Sequence, residues 1–168
     1  MLRMKEADIV YARLILMHLQ SSNDALNNMY ALLKPGGMLS LQEASWSTVH
    51  CSFPCEAIDN YRDAVIALGS KMGADYNLGK KLPYICQKLG FNVVYADNVE
   101  TKLDIPTGKA LFIVRASEFR DKMIEAGIVT AENLDSWVKI ITDLPEEDDK
   151  AYIGAANIMH ILVEKPNR

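Results

Sequence analysis

The stretch from Ala7 to Glu43 constrains this chain most, because it reads as strand, turn, helix, reverse turn and strand in a short span. Ala7-Asp8-Ile9-Val10-Tyr11-Ala12-Arg13 is a β-branched and aromatic run. Its Ile9-Val10-Tyr11 core lacks strict alternation, which predicts a strand covered on both faces. Leu14 to Leu19 stays apolar and reads as a short helical turn leaving the strand's carboxyl end. Ser21, Ser22 or Asn23 can cap the helix that follows to Leu33, each offering an oxygen to unpaired backbone donors. Leu26, Met29, Tyr30 and Leu33 form its inward stripe. Pro35 and the Gly36-Gly37 pair stop that helix, and Met38 to Glu43 is the second strand. Two strands joined by one helix make a βαβ unit, hence a parallel pair with a right-handed crossover.

The rest of the chain extends this unit. Ser47 to Cys55 is polar and loop-like, and Pro54 can open a helix that carries Ile58, Tyr61, Val65, Ile66, Leu68 and Met72. Leu78 to Leu89 reads as another helix with Leu82, Ile85, Cys86 and Leu89 inward, and Phe91 to Ala96 as a strand. Gly108 to Ala126 reads as a long helix carrying Leu111, Val114, Phe119 and Met123; Gly127 ends it and Thr130 caps the next, to about Leu144. A short acidic loop, Pro145-Glu146-Glu147-Asp148-Asp149, precedes one buried final strand within Tyr152 to Val163, then a polar tail to Arg168.

At 168 residues the expectation is a single domain over 1–168 with a helical insertion at about 47–74. A net charge of −4 with scattered lysines and arginines argues against nucleic acid as a partner. No apolar run reaches the roughly 20 residues needed to span a bilayer, so no membrane partner is expected. Met1-Leu2-Arg3-Met4-Lys5-Glu6 holds no apolar core of signal-peptide length. Cys51, Cys55 and Cys86 are few and odd in number, which points to a reduced, cytoplasmic protein.

Asp8 to Arg13, Leu16-Met17-His18-Leu19 and Leu32-Leu33-Lys34-Pro35-Gly36-Gly37, in that order and spacing, resemble the carboxyl-terminal half of class I S-adenosylmethionine-dependent methyltransferases. The likeness continues through Asp75-Tyr76-Asn77-Leu78-Gly79 and Leu82 to Gly90-Phe91. It implies strands four to seven of a Rossmann-like sheet, with a fifth strand that ends near the acidic Glu43. It also implies an inserted region that helps to cover a small-molecule substrate. The expected fold class is therefore α/β: a partial methyltransferase sheet, mostly parallel with an antiparallel final strand, plus the helical insertion.

The resemblance assigns S-adenosylmethionine as cofactor, with Ala12, Arg13 and His18 on its side of the site. Arg13, Trp46, Tyr61, Tyr76 and Lys80 are the candidate substrate contacts. No residue is singled out as catalytic. Glu43 and Asp59 are carboxylates available as a base, and His50 with Cys51 and Cys55 offers three zinc-ligand types without a fourth, so no metal is expected. The sequence departs from the family in one respect. It contains no Gly-x-Gly-x-Gly loop, the element that lets backbone approach the cofactor. The fourth strand of such a sheet normally pairs with the first. Strand 8–13 is therefore expected to pair with a second copy, giving a homodimer, or with a partner chain. The alternative to methyl transfer is a non-catalytic dimerisation or interaction module built on the same ancestry.

Overall fold

The computed structural model describes residues 6–146 and 148–167. The readings of Met1 to Lys5, of Glu147 in the acidic loop and of Arg168 in the tail lie outside the described residues. In chain order the elements are β1 (Ala7–Arg13), α1 (Ser22–Leu32), β2 (Leu33–Ser45), β3 (His50–Cys51), α2 (Glu56–Lys71), α3 (Leu82–Lys88), β4 (Asn92–Val99), β5 (Lys102–Asp104), α4 (Ile105–Glu125), α5 (Ala131–Thr142), β6 (Tyr152–Gly154) and β7 (Asn157–Glu164). Short 3-10 turns occupy Leu16–His18, Trp46–Thr48 and Gly79–Lys81. These form two compact units: residues up to Ser45, Asn77–Val99 and Ile158 onward in the first, Trp46–Tyr76 and Glu100–Asn157 in the second. No helix among the described residues is long and apolar enough to cross a membrane.

The first unit is built on a four-stranded sheet in the order β1-β2-β7-β4. β1 pairs in parallel with β2, Ile9 opposite Met38 and Arg13 opposite Gln42, as the βαβ reading requires. β4 pairs with β7 antiparallel, from Asn92 opposite Glu164 to Val99 opposite Ile158. The Gly36 N–H donates to the Lys165 carbonyl (2.8 Å) and the Lys165 N–H to the Gly37 carbonyl (2.9 Å). The end of β7 thus meets the beginning of β2, and β7 alone runs against its neighbours.

Local chemistry explains the helix between β1 and β2. The Ser21 hydroxyl accepts the Asp24 N–H at 3.3 Å, capping α1. At the other end, the Tyr30 carbonyl accepts the Leu33 N–H, and the Lys165 ammonium donates to the carbonyls of Tyr30 (3.0 Å) and Leu33 (2.7 Å). The Lys-Pro-Gly-Gly segment is already part of β2, and Gly36, at φ +75°, falls where the register with β1 shifts between Leu33 and Met38. Leu26, Leu33, Leu39 and Leu41 are fully buried in this unit, as are Leu82 and Cys86 of α3.

The prediction that β1 is covered on both faces is corrected. Ile9 is 68% exposed and Tyr11 57%, because β1 is the edge strand and only Ala12 turns into the core.

The second unit joins helices α2, α4 and α5 to a small antiparallel sheet, β3-β6-β5. Three expectations are corrected here. The buried face of α4 is Ile105, Gly108, Phe112, Ala116 and Met123, whereas Leu111 and Val114 are exposed. The inward stripe includes small residues: a Cβ on Gly108 would lie 2.8 Å from the Ile153 side chain. The helix also begins earlier than predicted, since the Asp104 carboxylate caps it by accepting the Thr107 N–H at 2.8 Å. The single strand expected within Tyr152 to Val163 is instead two, β6 and β7, which belong to different sheets.

Gly79 packs against the end of β2, where a Cβ would lie 2.9 Å from the Ala44 carbonyl oxygen and also against that of Glu43. Gly79→Ala is therefore expected to destabilise the chain by about 1–3 kcal/mol in urea unfolding. Burial pushes the Cys86 thiol from an ordinary 9.0 up to about 11. The neutral thiol is favoured in the folded state, so its contribution is complete below pH 9 and is lost as pH rises from 9 to about 11. Cys86→Ala should remove that alkaline slope, measured as unfolding free energy against pH.

Candidate functional site

The carboxyl end of β1 is where open α/β sheets bind ligands, and here it is held by a single side chain. Glu43, fully buried near the end of β2, points its carboxylate at the turn that leaves β1. One oxygen accepts the N–H groups of Ile15 (3.0 Å) and Leu16 (2.8 Å), and the other accepts that of Met17 (3.3 Å). These donors open the 3-10 turn Leu16–His18 and have no carbonyl of their own to reach. The preceding Leu14 takes φ +51°, unusual for a residue with a side chain, and its N–H donates to the Gln42 carbonyl at 2.8 Å. The backbone just past β1 is thus fixed in a bent form between two anchors on β2.

The predicted residues divide between the units. In the first, Ala12 is buried at the end of β1, while Arg13 and His18 are exposed on either side of the bend. Lys80, also exposed, follows the Gly79 contact with the end of β2, so the turn that carries it lies against that strand. In the second unit, Trp46 and Tyr76 lie with ring centroids 6.5 Å apart, and the Trp46 N–H donates to the Tyr76 carbonyl at 2.9 Å. Trp46 and Tyr61 line one cavity, together with Phe112 and Arg115 of α4. Sequence reading missed Arg115 as a lining residue. The signal available was its spacing of three from Phe112 on one helix face.

The reading of Glu43 and Asp59 as available bases is corrected. Both Glu43 oxygens are occupied by backbone donors in a buried site. Asp59 is ion-paired with Arg62 at 2.7 Å. His50 spends its ring on the Thr48 carbonyl (3.0 Å) and on Glu100 (3.6 Å). Among the described residues, no cluster of three or more His, Cys, Asp or Glu is placed to hold a metal.

The family model for a methyltransferase domain matches residues 2–41, which contain β1, α1 and most of β2. No curated protein matches the sequence. Among solved structures, the chain is similar to a "putative methyltransferase" of Bacillus halodurans C-125, at 17% identity and TM-score 0.54, over 99% of this chain and 74% of that one. It also aligns with the [4+2]-cyclase SpnF, at 14% identity and TM-score 0.48, over 96% of this chain and 50% of that one. A phosphoethanolamine N-methyltransferase 2 of Haemonchus contortus, solved with S-adenosylhomocysteine, aligns at 17% identity and TM-score 0.43, over 95% of this chain and 33% of that one.

Glu43→Gln replaces one acceptor oxygen with a donor that faces backbone N–H groups. It is expected to cost on the order of 2–3 kcal/mol in denaturant unfolding and to raise amide exchange at Ile15, Leu16 and Met17. Unchanged exchange at those amides would show that the turn holds itself. The matched segment carries this bend and stops just short of its anchors Gln42 and Glu43, and the chain has the fold of the class I S-adenosylmethionine-dependent methyltransferases.

Proposed function

We propose that this chain supplies the carboxyl-terminal wall of an S-adenosylmethionine-dependent methyltransferase site, which is completed by a strand added along the open edge of β1. The observation that carries the reading is the fixed bend after β1, in the segment that matches a methyltransferase domain. Ala12 and Arg13 would present their backbone to the cofactor, with His18 on the far side of the bend. Arg13 and Lys80, both exposed in the first unit, would meet a small, apolar methyl acceptor.

The residues present fit part of the cofactor only. The bend offers a rigid backbone surface, but the sequence holds no glycine-rich loop for the methionine portion. That cofactor supplies a methyl group already activated on a sulfonium, so this chain's task is alignment rather than proton transfer. This agrees with a bend whose carboxylate is fully engaged by backbone.

The open β1 edge also favours a second reading, a non-catalytic dimerisation module. Exposed Ile9 and Tyr11 sit on a strand with one unpaired side, which templates pairing with another chain.

Calorimetric titration with S-adenosylhomocysteine, with solution mass measured alongside, separates the two. Micromolar binding by a dimer is expected, and Ile9→Lys should reduce both the dimer and the binding at least tenfold. A well-folded dimer that gives no heat would support the module reading instead.

A further inference from the structure

The four-stranded sheet of the first unit is covered on one face only. Leu39 and Leu41 of β2 and Ile161 and Val163 of β7 are buried on that face. The residues between them point the other way, and none of the side chains on this second face is buried. It carries Ile9, Tyr11 and Arg13 on β1 and Met38, Ser40 and Gln42 on β2. Across β7 and β4 it continues with His160, Leu162, Tyr95 and Asp97.

Strand register arranges these residues in rows. Arg13 lies opposite Gln42, and His160 opposite Asp97. Lys165 of the β7 end bonds to Gly36 and Gly37, and counted along the antiparallel strands from Gly37, Gln42 falls beside His160. One row therefore runs Arg13, Gln42, His160, Asp97, basic at the β1 edge and acidic at the β4 edge. The next runs Tyr11, Ser40, Leu162, Tyr95. Near each edge a tyrosine donates into the polar row, Tyr11 to Gln42 (3.4 Å) and Tyr95 to Asp97 (3.2 Å).

Such a face is complementary to itself. A two-fold axis along the strands lays β1 of one copy over β4 of the other. It sets Arg13 against Asp97, Gln42 against His160 and Tyr11 against Tyr95, with the sheets ~10 Å apart. Turned the other way, β1 over β1, the stack would set like charge near like charge. Tyrosine, methionine and arginine are the residues that interfaces favour. With strands ~4.8 Å apart and rows ~6.7 Å apart, the face covers roughly 400 Å² in projection, against ~800 Å² per partner in a standard interface. That size fits a reversible pair rather than an obligate one.

We propose that a second copy of this chain stacks on this face, sheet on sheet, as a reversible two-fold dimer. The surface is distinct from the unpaired edge of β1, so the inference does not rest on the methyltransferase reading.

The test follows the full chain by sedimentation across protein concentration, and by hydroxyl-radical labelling of its tyrosines read by mass spectrometry. A reversible dimer is expected. Labelling of Tyr11 and Tyr95 should fall as concentration rises, while that of Tyr84, exposed on α3, stays constant. Leu162→Lys and Tyr95→Lys should each weaken the dimer about tenfold, although neither residue lies on β1. Arg13→Asp and Asp97→Arg should each weaken it, and the two together should restore it. A monomer at every concentration would overturn the proposal and leave the face to a different chain. Constant labelling of Tyr95 would overturn it too, and that measurement needs no variant. So would a dimer undiminished by Leu162→Lys, which would point to pairing along the β1 edge, or a double charge exchange that restores nothing.

Discussion

The first unit depends on the Glu43 carboxylate and the N–H groups of Ile15, Leu16 and Met17 that it accepts. A chain leaving a strand into a tight turn exposes backbone donors that a buried turn cannot give to water. Here an ionisable side chain from the neighbouring strand accepts all three, and the charge-assisted bonds in turn offset the cost of burying it. The β1–β2 register follows from the same contact, since a slip by one residue would turn Glu43 to the other face of the sheet. The strained Leu14 backbone persists because residues on both sides of it are anchored to β2.

The sheet has two edge strands, β4 beside β7 and β1 beside β2, and β1 leaves Ile9 and Tyr11 in solvent. Such an edge is the usual place for strand addition. The same geometry therefore underlies both the methyl-transfer reading and its rival, and the difference lies in what the added strand brings with it.

The second unit follows a different rule of assembly. Its long helix α4 packs through glycine and alanine as well as through Phe112 and Met123, which lets β6 approach closely at Ile153. The cavity beside Phe112 is bordered by Tyr61, a tyrosine buried almost completely in this unit.

The elements of Ala7 to Glu43 were legible in the sequence because their signals act over a few residues. The Ser21 cap, the positive φ of Gly36 and the apolar strand runs each fix their own backbone. The β1 edge, the α4 face and the split of Tyr152 to Val163 were not legible in the same way. Hydrophobicity alone does not report which strand is outermost, whether Gly108 and Ala116 face inward, or where a chain changes sheets. For the candidate site, Ala12 and Arg13 end β1 and His18 lies in the turn that follows, an order legible in the sequence, whereas the engagement of Glu43 by backbone donors was not. Whether a carboxylate is a free base or a backbone acceptor depends on donors 26 to 28 residues away, which only tertiary pairing brings within 3.3 Å. Sequence thus determined the local elements, through steric and capping chemistry between near neighbours. Tertiary structure decided burial, hydrogen-bond partners and the cavity, because those free energies arise only when distant segments exclude water from one another.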